Sequence, residues 1–356
     1  MDIRIATRIE DIGISPEEWN SLLSGSETNT VFQTYEWFKS WWDVFGKENR
    51  LFLVSVIGPH GDLMAIAPLM LSSRTGRRTV RFVGDDKADY LDIISGPEKQ
   101  KSIECVMEAL ILNKNEWDCI SLRNIPEDSI TCRELKRISL ETNIRTITSQ
   151  ISCPTLVIAG REKDAGRILR KKTLKRRFNH LRKNGELAFR HIRDESEALR
   201  CLEIFFDQHM KRRALAGDAS LFSDQRNRDF YATLTKELLG KGWLLFSALE
   251  FNGSPIAFHF GFDYGSRVLW YKPSFDIEFS RRSPGQVMLM HLINYAIENG
   301  RAEFDFTIGN EPFKSQFTNH MRMNTQLNLY KRNPAYLIDL SKHYILKSFK
   351  KTRRTK

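Results

Sequence analysis

No Cys-x-x-Cys pair occurs in this chain. Its five cysteines, Cys105, Cys119, Cys132, Cys153 and Cys201, are an odd, scattered set with no histidine cluster beside them. That excludes a disulfide framework and a zinc site, and reads as reduced thiols in a core or at a surface. No activating context marks any of them as a nucleophile. Long hydrophobic runs are missing too: the longest strongly apolar stretch, Leu63 to Leu71, is too short to cross a bilayer. Met1-Asp2-Ile3-Arg4 carries no apolar signal core, so the expected location is cytoplasmic. Acidic residues are scarce in two places. Residues 161–193 hold 13 Lys/Arg against 3 Asp/Glu, and residues 342–356 hold 7 Lys/Arg and no acid. The net charge of the whole chain is only +11, so the remainder is slightly acidic. This argues against a protein that coats nucleic acid and for two local anionic contacts.

What is present is a chain of 356 residues, long enough for two domains with real cores. Residues 53–66 and 245–258 repeat one pattern of strand, glycine turn and strand, with Leu53, Ser55, Gly61 and Ala65 matching Leu245, Ser247, Gly253 and Ala257. A helix followed by a strand also recurs, over 102–123 and 284–308, which points to a duplicated domain. Ser15-Pro16-Glu17-Glu18 reads as a capping box opening a short helix. Phe38, Trp41, Trp42 and Phe45 fall on one helical face that ends at Gly46, and Leu199, Leu202, Phe206 and Met210 form a similar stripe. Residues 148–160 are expected to be a linker. The expected domains are 1–150 and 160–335, with a basic tail over 336–356.

Residues 281–317 carry the most chemistry. Ser283 suits an N-cap, Pro284 the first helical position, and Gln286 would complete a capping box. The helix to Gly300 is apolar almost all round and so is expected to be buried. Phe304, Phe306 and Ile308 then alternate with Glu303, Asp305 and Thr307 as in a strand. Arg281 and Arg282 at a helix N-terminus combine free N–H groups, the helix dipole and side-chain charge into an anion site. Lys314 follows on a loop between Phe313 and Phe317.

These residues resemble the C-terminal half of the tandem GNAT-fold acyltransferases. The likeness is greatest to the CelD/BcsL cellulose-biosynthesis acetyltransferase group and more distant to the FemAB/FemX aminoacyl-tRNA-dependent peptidyltransferases. It rests on Ser283-Pro284-Gly285, Asp305-Phe306, Gly309 and Phe313-Lys314 with Phe317. Upstream, Val31-Phe32-Gln33, Trp37 and Trp41 look like the family's opening helix. Ala67-Pro68-Leu69 and Gly84 with Asp89-Tyr90-Leu91-Asp92 resemble its first-domain sheet and loop, and Arg170 to Gly185 its basic helix. The resemblance implies an α/β (α+β) chain of two tandem GNAT-like domains, each a mixed central sheet flanked by helices. It also implies acyl-CoA, such as acetyl-CoA, as donor, with no metal.

Such a reaction needs the donor pyrophosphate held, the acceptor deprotonated and the thioester oxyanion stabilised. Arg281, Arg282, Ser283, Gly285 and Gln286 are the candidates for the pyrophosphate; the alternative is a capped buried helix with incidental arginines. The family's loop has glycine or alanine where this chain has Val287, which is expected to crowd the approach. The matching lysine in FemX-like relatives faces the substrate cleft, so Lys314 reads as catalytic or as a solvated lysine. Asp305 reads as a base, as the group that orients Lys314, or as a water-facing carboxylate. His259, on the strand face opposite Phe258 and Phe260, reads as a general base or as structural. Tyr271 could protonate a leaving thiolate or simply pack. The resemblance puts His209 and Arg212, and the loop with Asp89, Tyr90 and Asp92, at the acceptor side; the bland readings are helix-end polar groups and an aspartate-rich turn. A helix over Ile168 to Leu181 is expected to bury Leu174, Phe178 and Leu181 and to show its cations to an anionic partner.

Three functions follow. The first is acyl transfer to an amine or hydroxyl of a cell-envelope or polysaccharide precursor, a small-molecule or lipid- or nucleotide-linked glycan. The second is FemX-like transfer from aminoacyl-tRNA, the one reading that makes tRNA a partner. The third is a degenerate scaffold that binds an anionic envelope partner. The tail, with Tyr344, Ile345, Leu346 and Phe349 among its lysines, adds the expectation of a peripheral position on the anionic inner face of a membrane.

Overall fold

Sequence-local signals set the elements, and a computed structural model shows how they assemble. It describes residues 1–73, 76–96, 98–141, 144–331 and Asp339. The expected basic tail over 336–356 therefore lies, Asp339 apart, outside the described residues. The chain divides into two compact units. One comprises Met1–Phe38, Phe45–Ile151 and the chain from Met323; the other comprises Lys39–Val44 and Ser152–Arg322.

The first unit contains, in chain order, β1 (Asp2–Ala6), α1 (Pro16–Ser24), the two ends of α2 (Tyr35–Phe45), β2 (Asn49–Leu51), β3 (Leu53–Ile57), β4 (Leu63–Ala67), β5 (Leu69–Ser72), β6 (Thr79–Phe82), β7 (Ile94–Ser95), α3 (Lys99–Leu112), β8 (Cys119–Pro126) and α4 (Ile130–Glu141). The capping box at Ser15 forms: Ser15 Oγ accepts from the Glu18 amide at 3.1 Å, and the Glu18 carboxylate accepts from the Ser15 amide at 2.8 Å. This fixes the first turn of α1 so that Trp19 and Leu23 face inward. Strands β1, β3, β4 and β7 make a small antiparallel sheet in the order β1-β3-β4-β7, and α3 packs on it.

The second unit contains the later half of β9 (Arg145–Val157), then α5 (Glu162–Leu169), α6 (Lys172–Lys183), β10 (Leu187–His191), α7 (Glu195–Leu215), α8 (Gln225–Leu239), β11 (Leu244–Phe251), β12 (Ser254–Tyr264), β13 (Arg267–Phe275), α9 (Pro284–Glu298), β14 (Glu303–Asp305) and the first residues of β15 (His320–Tyr330). Its strands lie in the order β10-β11-β12-β13-β14-β9. All neighbours are antiparallel except β13 and β14, which α9 joins as a parallel crossover. Aliphatic side chains of α5, α6 and α9 cover one face, with Leu245, Leu249, Ala257, Val268, Trp270 and Phe304 beneath them. An aromatic layer of Phe205, Phe222, Tyr231, Phe246 and Phe260 holds α7 and α8 on the other.

The repeated hairpin is real at the backbone. Gly61 and Gly253 both take positive φ, +83° and +74°, between antiparallel strands β3/β4 and β11/β12. Asn252 joins Gly253 at positive φ, the two-residue turn whose twist suits a hairpin. Four expectations need correction. Residues 148–157 lie in strand β9, whose last three residues pair with β14, and the division between the two units falls within them, between Ile151 and Ser152. The helix expected over Ile168 to Leu181 is two helices: Lys171, at ψ 129°, breaks it within a run of three cations and starts α6. Leu174 and Leu181 are still buried. The inward stripe of α7 is Ala198, Cys201, Leu202, Phe205, Phe206 and His209, rotated from the one expected, so that Leu199 and Met210 lie at its margin. Strand β14 ends at Asp305 rather than running to Ile308.

Candidate active site

The early end of β14 sets the geometry of the candidate site. Strands β13 and β14 pair over three positions only, Arg267 with Glu303, Val268 with Phe304 and Leu269 with Asp305. Beyond them β13 continues to Phe275, while the other strand turns away. Asp305 Oδ1 accepts from the Thr307 amide at 2.7 Å, and the Thr307 hydroxyl donates to the Trp270 carbonyl at 3.2 Å. Thr307 sits at φ +56°, a left-handed conformation that a β-branched residue rarely adopts. Asp305 is buried at 2 % exposure, so it does not face water. The carboxyl ends of parallel strands, where the chain on either side diverges, are the usual place for a ligand in an α/β sheet.

Helix α9 follows β13 in the chain. A short 3₁₀ segment, Ile277–Arg282, leads from β13, and Ser283 follows at φ +54°, ψ +49°. Pro284 takes the first helical turn as expected, but the capping box does not form. A side-chain N-cap needs extended backbone, and the left-handed Ser283 makes no side-chain cap. The Gln286 side chain instead accepts a hydrogen bond from the Arg177 guanidinium of α6. Arg282 lies over Phe251 and Phe279, 5.5 and 5.2 Å from the ring centroids. Among the described residues neither Arg281 nor Arg282 forms an ion pair. Val287 does not crowd the turn: its side chain is buried in the core under α9. A Cβ added to Gly285 would meet only Phe275, at an ordinary 3.7 Å. On the same Phe275 ring lies Arg212 of α7, 5.5 Å from the centroid. Arg212 is largely buried and its Nε has no partner; burial first, then Arg213, lowers its pKa.

Lys314 belongs to the segment that leaves β14. Its Nζ donates to the Ile308 carbonyl at 2.9 Å and pairs with Glu311 Oε2 at 2.9 Å, with Lys314 3 % exposed. Helix α6 ties both parts of the site together. Arg177 reaches the first turn of α9, while Lys171, just before the helix, donates to the Gln316 carbonyl and lies 5.9 Å from the Phe317 ring centroid. Within α6 there is no acid, and among the described residues Lys172, Lys175, Arg176, Arg182 and Lys183 form no ion pair.

Other expected residues lie elsewhere. His259 is fully buried, stacked on Trp270 at 4.6 Å, with Nε2 accepting from the Tyr271 amide at 3.3 Å. Its proton is therefore on Nδ1, which has no partner. Burial, then His191, brings its pKa down to about 3. With no exposed surface it is a core residue rather than a general base. The Tyr271 hydroxyl accepts a hydrogen bond from the Tyr231 hydroxyl at 3.2 Å, and the Lys272 ammonium lies 3.9 Å from the Tyr271 ring centroid. His209 is buried beside Phe222, with Nδ1 2.8 Å from the Ser220 hydroxyl; burial, then Arg212, brings its pKa to about 3. In the first unit Asp89, Tyr90 and Asp92 are all buried. Asp92 accepts from Ser129 Oγ at 2.6 Å and the Ile93 amide at 2.8 Å, so it serves the core of that unit. Sequence reasoning missed Arg177, Thr307 and Glu311; only the basic helix and the Glu-x-x-Lys spacing hinted at the first and last. Among the described residues no three His, Cys, Asp or Glu side chains are placed to hold a metal ion, and no helix is long and apolar enough to cross a membrane.

Residues 169–315 match the family model of the acetyltransferase (GNAT) domain. No curated protein is significantly similar in sequence. Among solved structures the chain resembles FemX, with 10 % identity, a TM-score of 0.65 and coverage of 95 % of this chain and 99 % of that one. It also resembles the C-terminal domain of a putative lysylphosphatidylglycerol synthetase from Agrobacterium fabrum, with 12 % identity, a TM-score of 0.56 and coverage of 93 % and 96 %. A tandem GNAT protein from the clavulanic acid biosynthesis pathway gives 10 % identity, a TM-score of 0.50 and coverage of 93 % and 100 %. Residues 169–315 therefore match an acetyltransferase (GNAT) domain, and the chain has the fold of the tandem GNAT proteins.

Proposed function

We propose that this enzyme takes acyl-CoA as donor at the first turn of α9 and transfers the acyl group to an amine or hydroxyl of a cell-envelope or polysaccharide precursor, as in the CelD/BcsL group. The observation that carries this reading is the gap beyond Leu269 and Asp305. The chain leaves β13 into the uncapped N-terminus of α9, with Arg177, Arg281 and Arg282 at it, and leaves β14 into the segment that holds the Lys314 ammonium. The Gly285 amide and the guanidinium groups suit a pyrophosphate, and Gly285 leaves room for it to approach the backbone. Lys314 is the group to stabilise negative charge that develops on the thioester oxygen, and it draws its position from the Ile308 carbonyl. Transfer forms the bond from the acceptor nitrogen or oxygen to the acyl carbon, breaks the thioester C–S bond, and passes the acceptor's proton to the leaving CoA thiolate.

One observation favours a second reading, transfer from aminoacyl-tRNA: the unpaired cations of α6 stand beside the same turn. The lipid- and tRNA-linked chemistry of such donors and acceptors would use that helix. A transfer assay with labelled acetyl-CoA and with labelled aminoacyl-tRNA, each against a panel of glycan-linked amine and hydroxyl acceptors, separates the two. Product from acetyl-CoA alone supports the first reading; product from aminoacyl-tRNA alone replaces it.

A further inference from the structure

The Lys314 ammonium is almost entirely buried, yet its counter-ion is not. Lys314 is 4 % exposed over its side chain, whereas the Glu311 side chain is 56 % exposed. A buried ammonium stripped of its partners is costly, so it keeps a carboxylate close while no ligand is present. An exposed glutamate, by contrast, can swing into water at little cost, because such a pair contributes little in high dielectric. The backbone is shaped around this contact. Gly309 lies at φ +127°, and a Cβ there would press on Glu311 Oε2 and sit 2.9 Å from Lys314 Nζ. The carboxylate oxygen thus fills a small space bounded by the bare Gly309 backbone and the ammonium. Another anionic oxygen, from a phosphate, a carboxylate or a developing oxyanion, would fit the same place.

We infer that Glu311 is a displaceable counter-ion: it neutralises Lys314 in the empty site and yields it to the oxygen of an anionic substrate. Glu311 thereby sets how strongly the site takes anions. The inference rests on the reading that Lys314 faces substrate. Glu311 acts through Lys314 and is a positioning residue; it also keeps the lysine from capturing stray small anions, since any competitor must first displace it.

The test is calorimetric titration of CoA and of inorganic pyrophosphate into the full-length protein, Glu311→Gln, Lys314→Ala and the double variant, at low and high salt. The expected result is that Glu311→Gln binds both probes about fivefold more tightly at low salt. The gain should shrink at high salt and vanish in the double variant. Glu311→Ala, which lacks the amide as well, should show the same gain. Equal or weaker binding by both Glu311 variants overturns the counter-ion role, as does a gain that survives the loss of Lys314. If Lys314→Ala by itself alters neither binding nor transfer, the reading of Lys314 fails instead.

Discussion

Replacing Lys314 by alanine should stop transfer and leave the protein folded, and the structure supplies both magnitudes. The side chain contributes one hydrogen bond to the Ile308 carbonyl and one ion pair to the largely exposed Glu311. A hydrogen bond of this kind contributes about 1 kcal/mol net, and an ion pair with one exposed partner about 1 kcal/mol or less. The expected loss of stability is thus about 1–2 kcal/mol, against the roughly 5–15 kcal/mol that holds a domain together. Removing a group that meets charge in the transition state costs far more, on the order of 10²–10³ in turnover. Thermal melting and steady-state transfer, measured on the same preparation, give the two quantities. A variant that melts a few degrees lower with kcat unchanged would refute the reasoning, because a lysine held this way would then be packing alone.

Four further outcomes are expected. Arg282→Glu puts a negative charge beside the α9 turn and should weaken acyl-CoA binding by about 1–3 kcal/mol; equal affinity by calorimetry at low salt would reduce the turn to a plain helix start. Gly285→Ala should leave the melting temperature unchanged, since its Cβ meets only Phe275 at 3.7 Å, but raise KM for the donor; an unchanged KM would mean that the donor does not approach this backbone. Burial, opposed by hydrogen bonds from Ser129 and the Ile93 amide, raises the pKa of Asp92 from 3.8 to about 6. Between those values the native state binds the extra proton, so stability should fall by about 3 kcal/mol as pH rises from about 4 to about 6 and stay level above; urea unfolding of Asp92→Asn should lack this slope, and an identical profile in both proteins contradicts it. From the sequence charge of residues 342–356, a chain stopped at Leu340 should lose co-sedimentation with anionic vesicles while acting normally on soluble acceptors; equal binding by both forms removes that role.

The parts legible in the sequence were those fixed by neighbours along the chain. The Ser15 capping box needs only residues three apart, and the paired hairpins announce themselves through Gly61 and Asn252-Gly253. The buried helix α9 follows from its apolar run. What local pattern could not give was decided by distant contacts. The alternation through Ile308 looked like a continuing strand, but the Asp305 carboxylate and the Trp270 carbonyl hold Thr307 in a left-handed turn. Ser283 and Gln286 have the residue types of a capping box, yet Arg177, more than 100 positions away, takes the glutamine. His259 has the pKa of a base only while it is solvated, and strand alternation cannot tell that Trp270 covers it. Within the candidate site, Arg281, Arg282, Gly285 and Lys314 were each visible as residues. The pairing of Lys314 with Glu311 and the bond from Arg177 to Gln286 required the fold.

The central claim is that the first turn of α9 holds an acyl-CoA. Its most direct measurement is calorimetric titration of acetyl-CoA into the full-length protein and into Arg282→Glu, with aminoacyl-tRNA titrated in parallel. Saturable binding of acetyl-CoA that weakens in Arg282→Glu is the predicted result. No heat from acetyl-CoA, with tight binding of aminoacyl-tRNA by both proteins, would contradict it.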